Sequence, residues 1–132
     1  MPFLDLFDYL LESVLEESNH VVNIFRNGFR LHVYASFMSI ADFVGLDICE
    51  KLAQVCTESG FPDAFRLTVK AANAQTSEFF KTTGRDFDQA FISSTFDTNC
   101  QKVFVCGPPK FNDTVPQDLK SLGFPAERII LA

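Results

Sequence analysis

A chain of 132 residues with 47% apolar and 21% charged side chains has the composition of one ordinary globular domain rather than of a disordered segment. Eleven Lys and Arg against seventeen Asp and Glu leave a net charge of −6, which excludes the clustered bases that nucleic-acid binding or a membrane-surface helix requires. No apolar run nears the roughly 20 residues that span a bilayer, and Met1-Pro2-Phe3-Leu4-Asp5 lacks the basic start of a signal peptide.

Residues 3–18 read as an amphipathic helix. Phe3, Phe7, Leu10 and Val14 share one face, and Asp8, Glu12 and Glu16 lie elsewhere. Asn19 and His20 end it, and Asn27-Gly28 marks a turn. Residues 30–37 alternate in polarity and predict a strand. Asp47 and Glu50 have the spacing of a capping box, opening a helix to about Thr57 with Ile48, Leu52 and Val55 inward. Gly60 to Pro62 break the chain. Residues 65–71 predict a second strand, with Phe65, Leu67 and Val69 on one face.

Gly84 precedes a further helix start, with Asp86 as cap, Gln89 three residues on, and Phe87, Ala90 and Phe91 as its apolar positions. Residues 102–106 then read as a short buried strand, because Val103, Phe104 and Val105 form an unbroken apolar run. Gly107-Pro108-Pro109 stops it, since two prolines remove two backbone donors. Residues 112–122 suit a helix with Phe111, Val115, Leu119 and Leu122 at helical spacing and Pro116 confined to the first turn. Gly123 follows as its C-terminal residue, and residues 128–131 form a last strand. This alternation predicts an α/β domain with a parallel sheet.

Cys49, Cys56, Cys100 and Cys106 contain no C-x-x-C pair, and His20 and His32 are the only histidines, so zinc is poorly supported and free thiols are the expectation. The informative segment is residues 103–109. In an open parallel sheet, ligands bind beyond the carboxyl ends of strands, which is where Cys106 and Gly107 would be delivered. Gly107 lacks the side chain that would obstruct approach. The alternative is a structural strand end with a buried cysteine acting as a small hydrophobe.

The run Val103-Phe104-Val105-Cys106-Gly107-Pro108-Pro109, with a following helix that ends Leu122-Gly123, resembles the C-terminal segment of the ferredoxin–NADP reductase superfamily. Thr83-Gly84-Arg85-Asp86-Phe87 resembles the Gly-Arg-Pro segment of its ferric reductase and NADPH oxidase branch, at similar spacing, although no proline follows Arg85. The early helix, from Asp5-Leu6 to Glu12, is similar to the segment after the family's second strand. The likeness covers residues 5–132, and its specific part is the Cys-Gly-Pro-Pro block.

The resemblance implies hydride transfer from NAD(P)H to FAD, with the cofactors performing the redox step and the protein placing them. It implies Cys106 as a catalytic residue beside the nicotinamide, with Gly107, Pro108 and Pro109 shaping the pocket. Arg85 would contact cofactor phosphate or ribose, because its guanidinium forks onto anionic oxygens. Ser36 stands where some members read the adenosine 2′-phosphate. Those members place Arg directly after the Ser; Phe37 follows here, and no base lies close by in sequence.

The departures are as informative. The Gly-rich pyrophosphate loop of the family's first strand and the Arg-x-Tyr-Ser motif of its flavin barrel do not occur in this sequence. The implied fold is therefore α/β: a three-layer, partial Rossmann-like parallel sheet flanked by helices, lacking the first strand, in one partial nucleotide-binding domain over residues 1–132. FAD would be held by a domain not present in this chain. The partners implied are that domain or a membrane part of the same protein, and the location is cytoplasmic or cytosol-facing. Other readings stay open: a non-catalytic accessory or relic subunit, an unrelated α/β module, or a thiol enzyme using Cys106 that lacks a nearby base in His20 or His32.

Overall fold

The computed structural model describes residues 3, 5–9, 25, 28–75, 77–96 and 99–131. They form two compact units, Phe3–Gly84 and Arg85–Ala132.

In the first unit, two runs with apolar side chains at every second position become neighbouring parallel strands, β1 (Leu31–Ser39) and β2 (Phe65–Ala72). They pair from Leu31↔Phe65 to Ser36↔Lys70, and the register then shifts before Ser39. There Ser39 and Asp42 form a reciprocal capping box on a single 3-10 turn, Ile40–Asp42. The crossover is helix α1 (Leu46–Glu58), which completes a β–α–β unit.

The predicted capping box at Asp47 is not formed. Gly45 caps α1 with no side-chain bond, and Asp47 sits in the first turn, where its charge faces the positive end of the helix dipole. The inward stripe is Cys49, Leu52, Ala53 and Cys56, so Leu52 is placed as expected while Ile48 and Val55 are only half-buried. Two cysteines supply the apolar stripe that sequence hydropathy assigned to larger side chains. The face of β2 carrying Phe65, Leu67 and Val69 is buried as predicted.

Of the predicted helix 3–18, residues 5–9 are helical, and Phe7 packs edge-on against Phe65 with ring centroids 6.0 Å apart. Leu10, Val14, Glu12, Glu16, Asn19, His20 and Asn27 lie outside the described residues. Gly28 occupies the expected turn at φ +98°. A short strand β3 (Lys81–Thr82) pairs with Thr68 and Val69 to give the order β1-β2-β3.

The second unit is built around β4 (Val103–Val105), α3 (Pro109–Ser121) and β5 (Ile129–Leu131), with β4 and β5 parallel and α2 (Gln89–Thr95) preceding them. Asp88, rather than Asp86, caps α2, accepting a 2.9 Å bond from the Phe91 amide. Its buried residues are Phe91 and Ile92, and Ala90 is exposed. Moving the start by two residues rotates the helical face accordingly.

β4 is not buried on both sides. Alternate side chains point to opposite faces of a sheet, so Val105 is buried while Phe104 stays 53% exposed. Helix α3 starts at Pro109, earlier than residue 112, which leaves Pro116 in the helix interior. There it removes the amide that would bond the Asn112 carbonyl. Gly123, at φ +98°, closes α3 as predicted: its amide bonds Lys120 O, and the Phe124 amide bonds Leu119 O. Phe124 and Leu119 are both buried beneath that cap.

The architecture is α/β with parallel strands joined by helices, as in a partial Rossmann-like fold. The strands fall into two sheets, of three and of two.

Candidate functional site

β4 ends at Val105 and leaves Cys106 half-buried at the carboxyl end of a parallel strand. Gly107 follows, Pro108 takes the cap position of α3 at φ −58°, ψ 160°, and Pro109 is its first residue. Proline is suited there because the first amides of a helix have no intrahelical partner. The same choice removes two N–H groups that could face an anion, so this turn is poorer in donors than a phosphate-binding one.

Gly107 has a specific steric reason to be glycine. A Cβ at this position would lie 2.6 Å from Phe111 Cδ1 and 3.0 Å from its Cγ. The Phe111 ring, one turn into α3, occupies the space that the missing side chain leaves. Asn112 Oδ1, the next residue along, is buried without a hydrogen-bond partner.

Arg85 is exposed and lies along α2, with its guanidinium 5.3 Å from the Phe91 ring centre and Nη1 3.4 Å from Ser94 Oγ. Cys106, Gly107, Pro108 and Pro109 thus share one turn of the second unit, while Arg85, which precedes α2, lays its side chain against that helix. Ser36 belongs to the first unit. It is exposed on β1, and the parallel register places Lys70 directly beside it on β2. The absence of a nearby base, as read along the sequence, is therefore corrected: positions 36 and 70 become neighbours only through strand pairing.

The same register assembles a group that sequence reading missed. His32, Tyr34 and Ser36 share one sheet face with Arg66, Thr68 and Lys70. The His32 and Tyr34 rings stack at 4.1 Å. Tyr34 OH lies 3.0 Å from His32 Nδ1, and His32 Nε2 lies 3.1 Å from Thr68 Oγ1. Partial burial, followed by the charges of Arg66 and Lys81, pulls the His32 pKa from 6.5 down to about 4. The imidazole is consequently neutral at pH 7. An unfolded chain binds this proton near pH 6.5 and the folded one only near 4, so this group's contribution to stability falls as pH drops through that window.

The thiols differ sharply. Burial pushes Cys49 up to about 12 and Cys56 up to about 11, the latter opposed by Arg30. Cys100 is exposed, with its thiol 3.0 Å from Lys102 O, and Cys106 is half-exposed. Because the thiolate is the reactive form, an uncharged maleimide should label Cys100 and Cys106 in the native protein, and Cys49 and Cys56 only after unfolding. Mass spectrometry of tryptic peptides reads this directly, and labelling of Cys49 at the Cys106 rate would contradict the packing of α1.

Among the described residues no three His, Cys, Asp or Glu side chains converge to hold a metal, and no helix is long and apolar enough to cross a membrane. Comparison of the chain with family models, with curated proteins and with solved structures gives no match, so its site is read from its own geometry.

Proposed function

We propose that this chain is the NAD(P)H-binding portion of a flavin-dependent oxidoreductase of the ferric reductase or NADPH oxidase kind. Hydride would pass from NAD(P)H to FAD held by a domain outside this sequence. The observation that carries the reading is the β4–turn–α3–β5 unit, which delivers Cys106 to the carboxyl end of a parallel strand, the edge at which such sheets bind dinucleotides. The division into two sheets also supports it, since the family's first strand lies centrally and is not in this sequence.

Cys106 would lie against the nicotinamide, with Gly107, Pro108 and Pro109 keeping the turn rigid. Donor and acceptor must approach to roughly 3–3.5 Å for hydride transfer, which makes rigidity useful. The nicotinamide and flavin supply the redox chemistry. The turn fits the nicotinamide end better than the pyrophosphate, because its prolines remove amide donors; the pyrophosphate would be held elsewhere. The natural partner is the flavin-binding domain or membrane part of the same protein, which would place this chain on the cytosolic side.

A second reading, a non-catalytic accessory subunit that keeps the fold, is favoured by two observations. The Phe111 ring fills the space beside Gly107, and Arg85 is engaged with Phe91 and Ser94. Titration of the purified chain with NADH and NADPH, read by fluorescence and calorimetry, separates the two. Saturable binding that weakens in Cys106→Phe is expected for the nucleotide site, with negligible ferricyanide reduction even when FAD is added. Failure of both nucleotides to bind would leave the accessory reading.

A further inference from the structure

At the amino ends of β2 and β3, away from Ser36 and the carboxyl edge, the first unit holds a cavity of about 420 Å³. Its apolar side is Phe79; Phe65 and Leu67 border it, but they point to the other face of β2 and are nearly inaccessible. Its polar side comes from three adjacent strands, because Tyr34, Thr68 and Lys81 stand opposite one another in register and His32 stands opposite Arg66. Two acids, Asp63 and Glu78, also line it, and Asp63 pairs with Arg66 at 3.1 Å in an exposed bridge. Such a bridge is weak and leaves the guanidinium able to exchange partners.

We propose that this cavity binds a small organic anion, with its carboxylate or phosphate between Arg66, Lys81 and the Thr68 hydroxyl and its flat apolar body against Phe79. With the imidazole proton on Nε2, Tyr34 O–H donates to His32 Nδ1 and His32 Nε2–H donates to Thr68 Oγ1. Thr68 then has its own proton left to donate to a ligand. This chain requires a neutral imidazole, because a protonated one has no acceptor at Nδ1. Burial is the first cause of the depressed basicity of His32, and the charges of Arg66 and Lys81 add to it, so both bases lie within electrostatic reach of the ring. An anion can take the place of Asp63 on the Arg66 guanidinium while Lys81 stands across from it beside Thr68, and Phe79 adds the contact area that a bare ion would not use.

The test uses the whole chain with benzoate and phenyl phosphate as probes and inorganic phosphate as the headgroup alone. Thermal melting and the His32 ring resonances in NMR are the two readouts. Benzoate or phenyl phosphate should raise the melting temperature and lift the His32 pKa by about one unit or more, as a nearby opposite charge does. Inorganic phosphate should bind more weakly than phenyl phosphate. Lys81→Gln and Arg66→Gln should each weaken binding about tenfold, the scale of one lost charge-assisted hydrogen bond. Lys70→Gln, on the same face but outside the cavity, should leave binding unchanged. Absence of any His32 shift with either aromatic probe would overturn the proposal, as would equal losses in the Lys70 and Lys81 variants. Nucleotide binding at the Cys106 turn does not enter these readouts, so the two sites stand or fall separately.

Discussion

Phe65→Ala is expected to lower the stability of the Phe3–Gly84 unit by about 3–5 kcal/mol, the cost of truncating a fully buried aromatic ring. Phe65 is 2% exposed, opens β2, and holds Phe7 edge-on. Its removal opens a cavity under a strand that is paired to β1 from Phe65 onward, so relaxation is limited. Urea denaturation followed by far-ultraviolet circular dichroism measures the loss. Phe104→Ala provides the contrast, because a side chain 53% exposed should shift the midpoint only slightly. Similar midpoints for the two variants would mean that β2 is not the buried centre of its sheet.

Gly107→Ala should destabilise the β4–α3 turn by about 1–3 kcal/mol, the range for forcing atoms into a filled site. The added methyl would meet the ring and the Cβ of Phe111, and the latter, 3.2 Å away, cannot swing aside by a change of rotamer. The double variant Gly107→Ala with Phe111→Ala should recover part of that loss beyond additivity, since each change then makes room for the other. A double-mutant cycle with no coupling would show that the glycine serves something other than Phe111. It would return weight to a ligand approaching at that position.

How legible was this in the sequence? Apolar residues at every second position predicted β1 and β2, and Gly60 and Gly123 were read as chain breaks where the backbone does take a positive φ. The capping residues were read less well. Asp47 and Asp86 both have the spacing of a cap, but Gly45 and Asp88 hold those positions, because which of several nearby residues starts a helix depends on where its buried stripe must point. The unbroken run Val103-Phe104-Val105 implied a strand covered on both faces, whereas its sheet has two strands and leaves Phe104 exposed. Periodicity reports how a segment would alternate. It does not report how many layers will cover it.

Local chemistry along the chain determined the strands, the α/β alternation and the rigid turn after Cys106, because these follow from side-chain period and from what glycine and proline permit. Strand pairing alone decided that Lys70 stands beside Ser36 and that His32 meets Thr68, Arg66 and Lys81. Those neighbours are far apart in sequence, and a parallel register, fixed by burying Phe65, Leu67 and Val69 on the opposite face, is what brings them together.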